Sequence, residues 1–259
     1  VFSQASADPV IRVFSILGIS SLFAFAGLEV DLKEIGKRSF PILEHVAFRL
    51  ILVLAGSFAI IHYFPISSTH AMIVVLAITT PSVGFILESI GRWKLDKNLE
   101  SWIINLAIST EITALIILLF AIQGGSPIKL LTSILVLALA VFSLPFIFRT
   151  VASKTGEISQ GSDFTLIIIL AVVMALISKA LGAYYLIGAF LVGIVIGQYK
   201  AKRQDILSSD FIGAIRLFSS FFMPFYFFKS GSDILFSFLT ARTFFVGFGF
   251  FIIFGCLRI

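Results

Sequence analysis

Glu111 is an acid in the middle of an apolar run, Asn105-Leu106-Ala107-Ile108-Ser109-Thr110-Glu111-Ile112-Thr113. A charged side chain at the centre of a bilayer-spanning helix costs about 2.5 to 3.5 kcal/mol on insertion scales, so one that persists must face a packed or wet interior. Glu111 is too deep to extend its carboxyl to either interface. Two roles fit it: a structural acid, protonated and hydrogen-bonded to a neighbouring helix, or a site that binds a proton and an ion in turn. Ionisable groups inside a membrane mark the second role more often than the first.

The preceding span carries Thr79-Thr80-Pro81-Ser82-Val83-Gly84 at about half depth. Pro81 removes a backbone donor and Gly84 loosens the next turn, so the helix either kinks and continues or unwinds. An unwound segment turns carbonyls, and the hydroxyls of Thr79, Thr80 and Ser82, toward a cation. One short basic loop joins this span to the acid-bearing one, which makes them antiparallel neighbours with Thr80 and Glu111 at similar depth. Hydroxyls, freed carbonyls and one carboxylate form a hard oxygen site suited to a monovalent cation, sodium, potassium or lithium. Desolvation penalises the bare carboxylate, so a proton and a cation compete for Glu111.

Other buried charges are candidates for partners. Lys229, in Pro224-Phe225-Tyr226-Phe227-Phe228-Lys229-Ser230-Gly231, either pairs with an acid such as Glu111 or reaches outward along its stem. Arg258 is either a second charge partner or an interfacial residue. Glu44, His45 and Arg49 fall within the second span toward its basic end, where His45 reads as a partnered histidine or a pH sensor. Gly193 and Gly197 have the spacing that lets helices approach closely, within the chain or across a dimer.

The elements that must position these residues follow from composition. Hydrophobic residues make up 59% of the chain and charged residues 13%, with a mean hydropathy of +1.09. So little polar surface cannot cover a water-soluble globule. The apolar residues run in blocks of about twenty, the length of a membrane helix rather than of a barrel strand. The fold class is all-α, a polytopic membrane helical bundle. Nine spans are expected, at about Val10 to Val30, Pro41 to Phe64, His70 to Ile90, Leu99 to Gln123, Pro127 to Val151, Asp163 to Leu181, Tyr184 to Tyr199, Ile215 to Leu239 and Thr243 to Ile259. Short connections such as Gln123-Gly124-Gly125-Ser126-Pro127 leave no room for a soluble domain, so residues 1–259 read as one membrane domain. Val1 is not an initiator methionine and no signal peptide precedes the first span, so the chain is expected to be cut from a longer one at both ends.

The net charge of +5 is distributed as a topology signal, not as a nucleic-acid-binding face. Lys33, Lys37 and Arg38 follow the first span, Arg92, Lys94 and Lys97 the third, Arg149 and Lys154 the fifth, and Lys200, Lys202 and Arg203 the seventh. These loops lie on one side, the cytoplasmic one, and the unbroken alternation checks the span assignment itself. Cys256 is the single cysteine, which excludes a disulfide framework within the chain.

Four stretches, in order, resemble the bacterial monovalent cation:proton antiporter superfamily that includes sodium/proton antiporters and gated potassium-efflux systems. They are Phe25-Ala26-Gly27-Leu28-Glu29-Val30-Asp31-Leu32, the connection Glu88-Ser89-Ile90-Gly91 before the acid-bearing helix, Tyr185-Leu186-Ile187-Gly188-Ala189-Phe190-Leu191-Val192-Gly193, and the segment from Pro224 to Gly231. The resemblance implies a transport core in which two broken helices cross beside an acid helix, a second domain for homodimer contacts, and a bacterial inner-membrane location. It places Glu111 where the family has an ion-binding aspartate, and Thr110 where it has Asp, Asn or Gln. The extra methylene moves the carboxylate by about 1.5 Å, and with Thr110 uncharged a single carboxylate trades one proton for one cation, an electroneutral exchange. The second broken helix has no counterpart in this chain.

No catalytic triad, phosphate-binding loop or metal-ligand cluster is present, so an enzyme is not expected, and no cofactor is implied beyond the transported ion. The rival readings are a gated potassium-efflux system and a non-transporting membrane sensor or scaffold with the same fold.

Overall fold

The computed structural model describes residues 8–30, 32–37, 39–90, 93, 95–154, 160–202, 209–234 and 240–256. Every regular element among the described residues is a helix: α1 (Pro9–Leu28), α2 (Leu32–Lys37), α3 (Ser39–Tyr63), α4 (Ser68–Thr79), α5 (Val83–Ile90), α6 (Lys97–Gln123), α7 (Pro127–Lys154), α8 (Gln160–Ala180), α9 (Leu186–Lys202), α10 (Ser209–Ser232) and α11 (Ala241–Cys256). In lipid each backbone polar group has to be satisfied internally, which is what an uninterrupted helix does. Asp31, Arg38, Gly91, Arg92, Lys94, Arg203 and Arg258 lie outside the described residues.

The expected spans are recovered with three differences. The third divides into α4 and α5. A six-residue helix, α2, stands in the first basic loop, too short to register as an apolar run. The eighth begins earlier than expected, at Ser209, because a helix continues past its apolar stretch into the interface while its backbone bonds persist, and it closes at Ser232, short of the expected Leu239, which lies outside the described residues. Among the described residues, four helices are long and apolar enough to cross a membrane by themselves: Pro9–Leu28, Ser39–Tyr63, Lys97–Gln123 and Pro127–Ile147.

Two packed groups share α6. In the first, α1 is the hub, with α8, α9 and α10 around it. Gly18 meets the backbone of Phe222 on α10, Gly27 meets the backbone of Phe190 and Gly193 on α9, and Gly193 in turn faces the Ala24 carbonyl. Gly197 packs on Leu28. The two small residues of α9 are therefore used against α1 within the chain, as close packing between membrane helices requires. Phe14 adds edge-to-face contacts with Phe222 and Phe225 at 5.2 and 5.0 Å. In the second group Val53 and Ile60 of α3 pack on Ala71, Val75 and Leu76 of α4, and the Phe64 and Phe250 rings bring α11 alongside at 5.9 Å. On α6, Ile108, Leu115 and Leu119 face the first group while Ala114, Ile117 and Leu118 face the second. The acid-bearing helix is thus the seam between them. Phe40 and Phe58 on α3, and Phe142 and Phe146 on α7, are exposed and form surface that suits lipid.

The turn from α8 to α9 is built on Gly182, whose φ is +75°. Its N–H bonds the Lys179 carbonyl at 3.0 Å and the N–H of Ala183 bonds the Ser178 carbonyl at 2.9 Å, which closes α8 with a left-handed cap. A Cβ at Gly182 would meet only Gln123 Nε2, at ordinary contact distance. Gly182→Ala is therefore expected to cost about 1 to 2 kcal/mol from the left-handed backbone alone, read as a lower melting temperature of the protein in detergent.

Candidate functional site

The third span is broken, not kinked. α4 ends at Thr79, Thr80 is extended (φ −84°, ψ 120°), and α5 starts at Val83. Pro145 and Pro224, by contrast, lie inside continuous helices. The local sequence accounts for the difference. A proline pushes the residue before it out of helical geometry, and the β-branched Thr79-Thr80 pair resists that less than Leu144 or Met223. The chain restarts at once, with the Ile86 N–H bonding the Ser82 carbonyl at 3.1 Å.

Glu111 is the fifteenth residue of the 27-residue α6 and is 9% exposed. It lies in a buried polar segment with Asn105, Ser109, Thr110 and Thr113. The segment is compatible with lipid because its hydroxyls bond back along the helix: Ser109 to the Asn105 carbonyl at 2.7 Å, Thr110 to Leu106 at 2.9 Å, Thr113 to Ser109 at 2.7 Å. The Glu111 carboxylate accepts from the backbone N–H of Val83, the first residue of α5. That N–H is one of the unpaired donors every helix start leaves, at its partially positive end. The acid and the break, expected at similar depth, touch.

The hydroxyls of the expected site are arranged unevenly. Thr79, 3% exposed, donates its hydroxyl to the Val75 carbonyl at 2.8 Å, and Thr110, also 3% exposed, donates to Leu106. Each hydroxyl that has given away its proton keeps lone pairs for a cation or a donor. Thr80 caps α4, and its N–H bonds the Leu76 carbonyl at 2.9 Å. Ser82 is exposed.

His45 and Arg49 adjoin the candidate site, a contact that the sequence does not indicate. From one face of α3, His45 Nε2 bonds the Thr110 hydroxyl oxygen at 3.0 Å, and Arg49 Nη1 donates to the Thr79 carbonyl. Arg49 Nε also approaches His45 Nε2, at 3.4 Å. One ring nitrogen cannot donate to Thr110 and accept from Arg49, so the shorter Thr110 bond takes precedence. The two ends of the break are then charged in opposite senses: a guanidinium on the carbonyl end of α4 and a carboxylate on the amide end of α5, each at the helix pole that stabilises it.

Lys229 has an acid partner, but the acid is Asp233 one turn on, with Nζ–Oδ2 at 2.6 Å. The expected alternative of Glu111 is thereby corrected: i and i+4 on one helix meet without any tertiary contact. Both residues line a cavity of about 650 Å³, together with Arg12, Lys179, Tyr184 and Tyr185, at the side opposite the basic loops. Tyr184 and Tyr185 hydrogen-bond with Tyr226, and Tyr184 is within electrostatic reach of Glu111. Three of the chain's five tyrosines therefore line the cavity, and one of them, Tyr184, is also near the acid. Their signal was available in the sequence: a hydroxyl among thirty phenylalanines has to find a partner.

The whole chain, residues 1–259, matches the family described as sodium/hydrogen exchanger, transmembrane. It is similar to YjbQ of Bacillus subtilis (strain 168), 23% identical over 244 residues, which cover 83% of this chain and 38% of that protein. It is also similar to GerT of Bacillus cereus, 22% identical over 254 residues, covering 95% of this chain and 66% of that protein. Both relatives carry Na(+)/H(+) antiporter in their names, given there provisionally. This chain spans less than two thirds of the length of either. On the match along its full length, the chain belongs to the transmembrane sodium/hydrogen exchanger family.

Proposed function

We propose that this chain belongs to a secondary antiporter in the cell membrane, which exchanges a monovalent cation, sodium or potassium, for a proton, with Glu111 binding either one. The observation that carries this reading is the buried Glu111 carboxyl docked on the Val83 N–H at the break between α4 and α5. Membership of the exchanger family and the names of the two relatives support the reaction class.

The Val83 N–H and the start of α5 offset part of the carboxylate's desolvation, so the ionised form is reachable without being stable alone in the membrane interior. Two states then remain inexpensive, the protonated acid and the carboxylate with its cation. Oxygens of Thr79, Thr80, Ser82 and Thr110 supply the remaining coordination. Alternating access moves one state in one direction and the other state back, while the bare carboxylate is too costly to move. One carboxylate beside an uncharged Thr110 makes the exchange one for one and electroneutral.

Competition for a single carboxylate has a definite sign. Lowering the pH raises proton occupancy, so the apparent KM for the cation is expected to rise by about tenfold per pH unit in the acid range, with the maximal rate unchanged. Rates measured in proteoliposomes of the full-length protein, across sodium and potassium concentrations at several pH values, test this. A KM independent of pH, with pH acting only on the maximal rate, would falsify competition at one site.

A further inference from the structure

We propose that Arg49 is a tethered cation that competes with the transported ion for the oxygens at the helix break, and so sets the cation affinity of the site. The inference rests on the reading of Glu111 and the break as the ion site, and adds to it a residue from a third helix.

Arg49 is the eleventh residue of α3, about 16 Å along a helix that starts on the basic-loop side, which places it well inside the hydrocarbon layer. A guanidinium there is expensive unless it is used. Its use is visible: Nη1 donates to the Thr79 carbonyl, the last residue of α4 and one of the oxygens a broken helix frees. His45, one turn earlier, holds the neighbouring Thr110 hydroxyl. These two α3 side chains thus reach both oxygen-bearing segments beside Glu111, while Glu111 faces the amide end of α5.

A metal cation that coordinates the Thr79 carbonyl has to displace the guanidinium or share the oxygen with it. Two positive charges on one oxygen repel, and the guanidinium is covalently tethered, so its local concentration never falls. The native site therefore binds its cation more weakly than its oxygens alone would allow. For an exchanger that must release the ion on each cycle, a lowered affinity speeds unloading. Arg49 acts on the ion through the oxygen it occupies and is in this sense an affinity-setting residue. Among the groups that face it are His45 on its own helix, the carbonyl of Thr79 on α4 and, through His45, the Thr110 hydroxyl on α6.

The test uses the full-length protein in detergent, with thermal stabilisation by LiCl, NaCl or KCl at constant ionic strength held with choline chloride, alongside exchange in proteoliposomes. Arg49→Gln is expected to lower the cation concentration at half-maximal stabilisation, and the apparent KM, by about tenfold. Arg49→Lys keeps the charge and stays within about twofold of wild type on both. Arg49→Met, whose unbranched stem keeps the packing, repeats the measurement if Arg49→Gln does not accumulate. A structural role alone would lower melting temperature or maximal rate in every variant without tightening the cation midpoint, and that result overturns the proposal. It is equally overturned if neither neutral variant folds while Arg49→Lys does. Stabilisation that Glu111→Gln abolishes and the neutral Arg49 variants leave at the wild-type midpoint sinks this inference alone. No cation-dependent stabilisation in wild-type protein sinks the ion site and the inference together.

Discussion

Glu111→Gln is expected to reduce cation-dependent proton movement to background in the full-length protein while leaving it folded. The amide is nearly isosteric with the carboxyl, and its oxygen can still accept from the Val83 N–H, so the contact between α6 and α5 survives. The packing of Ile108 and Leu115 on the α1 group, and of Ala114 and Ile117 on the α4 group, does not involve the replaced atom. Removing an ionisable group from a buried position also removes a desolvation cost, so stability is expected to hold or to rise by about 1 kcal/mol. What the amide cannot do is bind and release a proton, or balance the charge of a cation inside the membrane. Both loaded states disappear, and with them the cycle. Everted vesicles with a pH-sensitive dye read the effect directly. Wild-type antiport from the Gln variant, in protein shown to be folded by size exclusion, would remove Glu111 from the mechanism.

Much of this arrangement is legible in the sequence, for reasons that differ between its parts. Run lengths and loop charges locate the spans because lipid imposes a single length scale and the translocation machinery reads Lys and Arg. The Thr79-Thr80-Pro81 signal marked the place of the break. Whether it kinks or unwinds depends on partners for the freed groups, and those come from elsewhere: Arg49 for the Thr79 carbonyl, Glu111 for the Val83 N–H. The four-residue spacing of His45 and Arg49 put them on one face of α3, but which neighbour that face meets is decided by the packing of α3 on α4 and α6. Lys229 shows the opposite case, since its partner Asp233 is local, four residues on, and legible from spacing alone. The convergence of Tyr184, Tyr185 and Tyr226 was hidden because it joins the α8–α9 turn to α10 across a cavity.

A large stability effect is expected at Gly193, where even a methyl group does not fit. A Cβ there would overlap the Ala24 carbonyl oxygen and come within 2.8 Å of the Gly27 Cα, and a Cβ at Gly27 would meet the Phe190 carbonyl in the same way. The atoms in the way are backbone, which cannot rotate aside as a flexible side chain can. α1 and α9 would have to separate along their whole contact, and α1 also carries the Gly18 contact to α10. Buried small-to-large changes typically cost about 1 to 3 kcal/mol when side chains can adjust. With two rigid helices in contact the upper end of that range is expected for Gly193→Ala, about 3 kcal/mol, and more for Gly193→Val. Gly247→Ala is the matched control, because nothing lies within 4 Å of a Cβ on that face of α11. It is expected to leave the melting temperature unchanged or to raise it slightly through helix propensity, by up to about 1 kcal/mol. Melting in detergent, followed by loss of the monodisperse peak, separates the two variants. If Gly193→Ala melts with the control, the close crossing of α1 and α9 is not what holds the first helix group together.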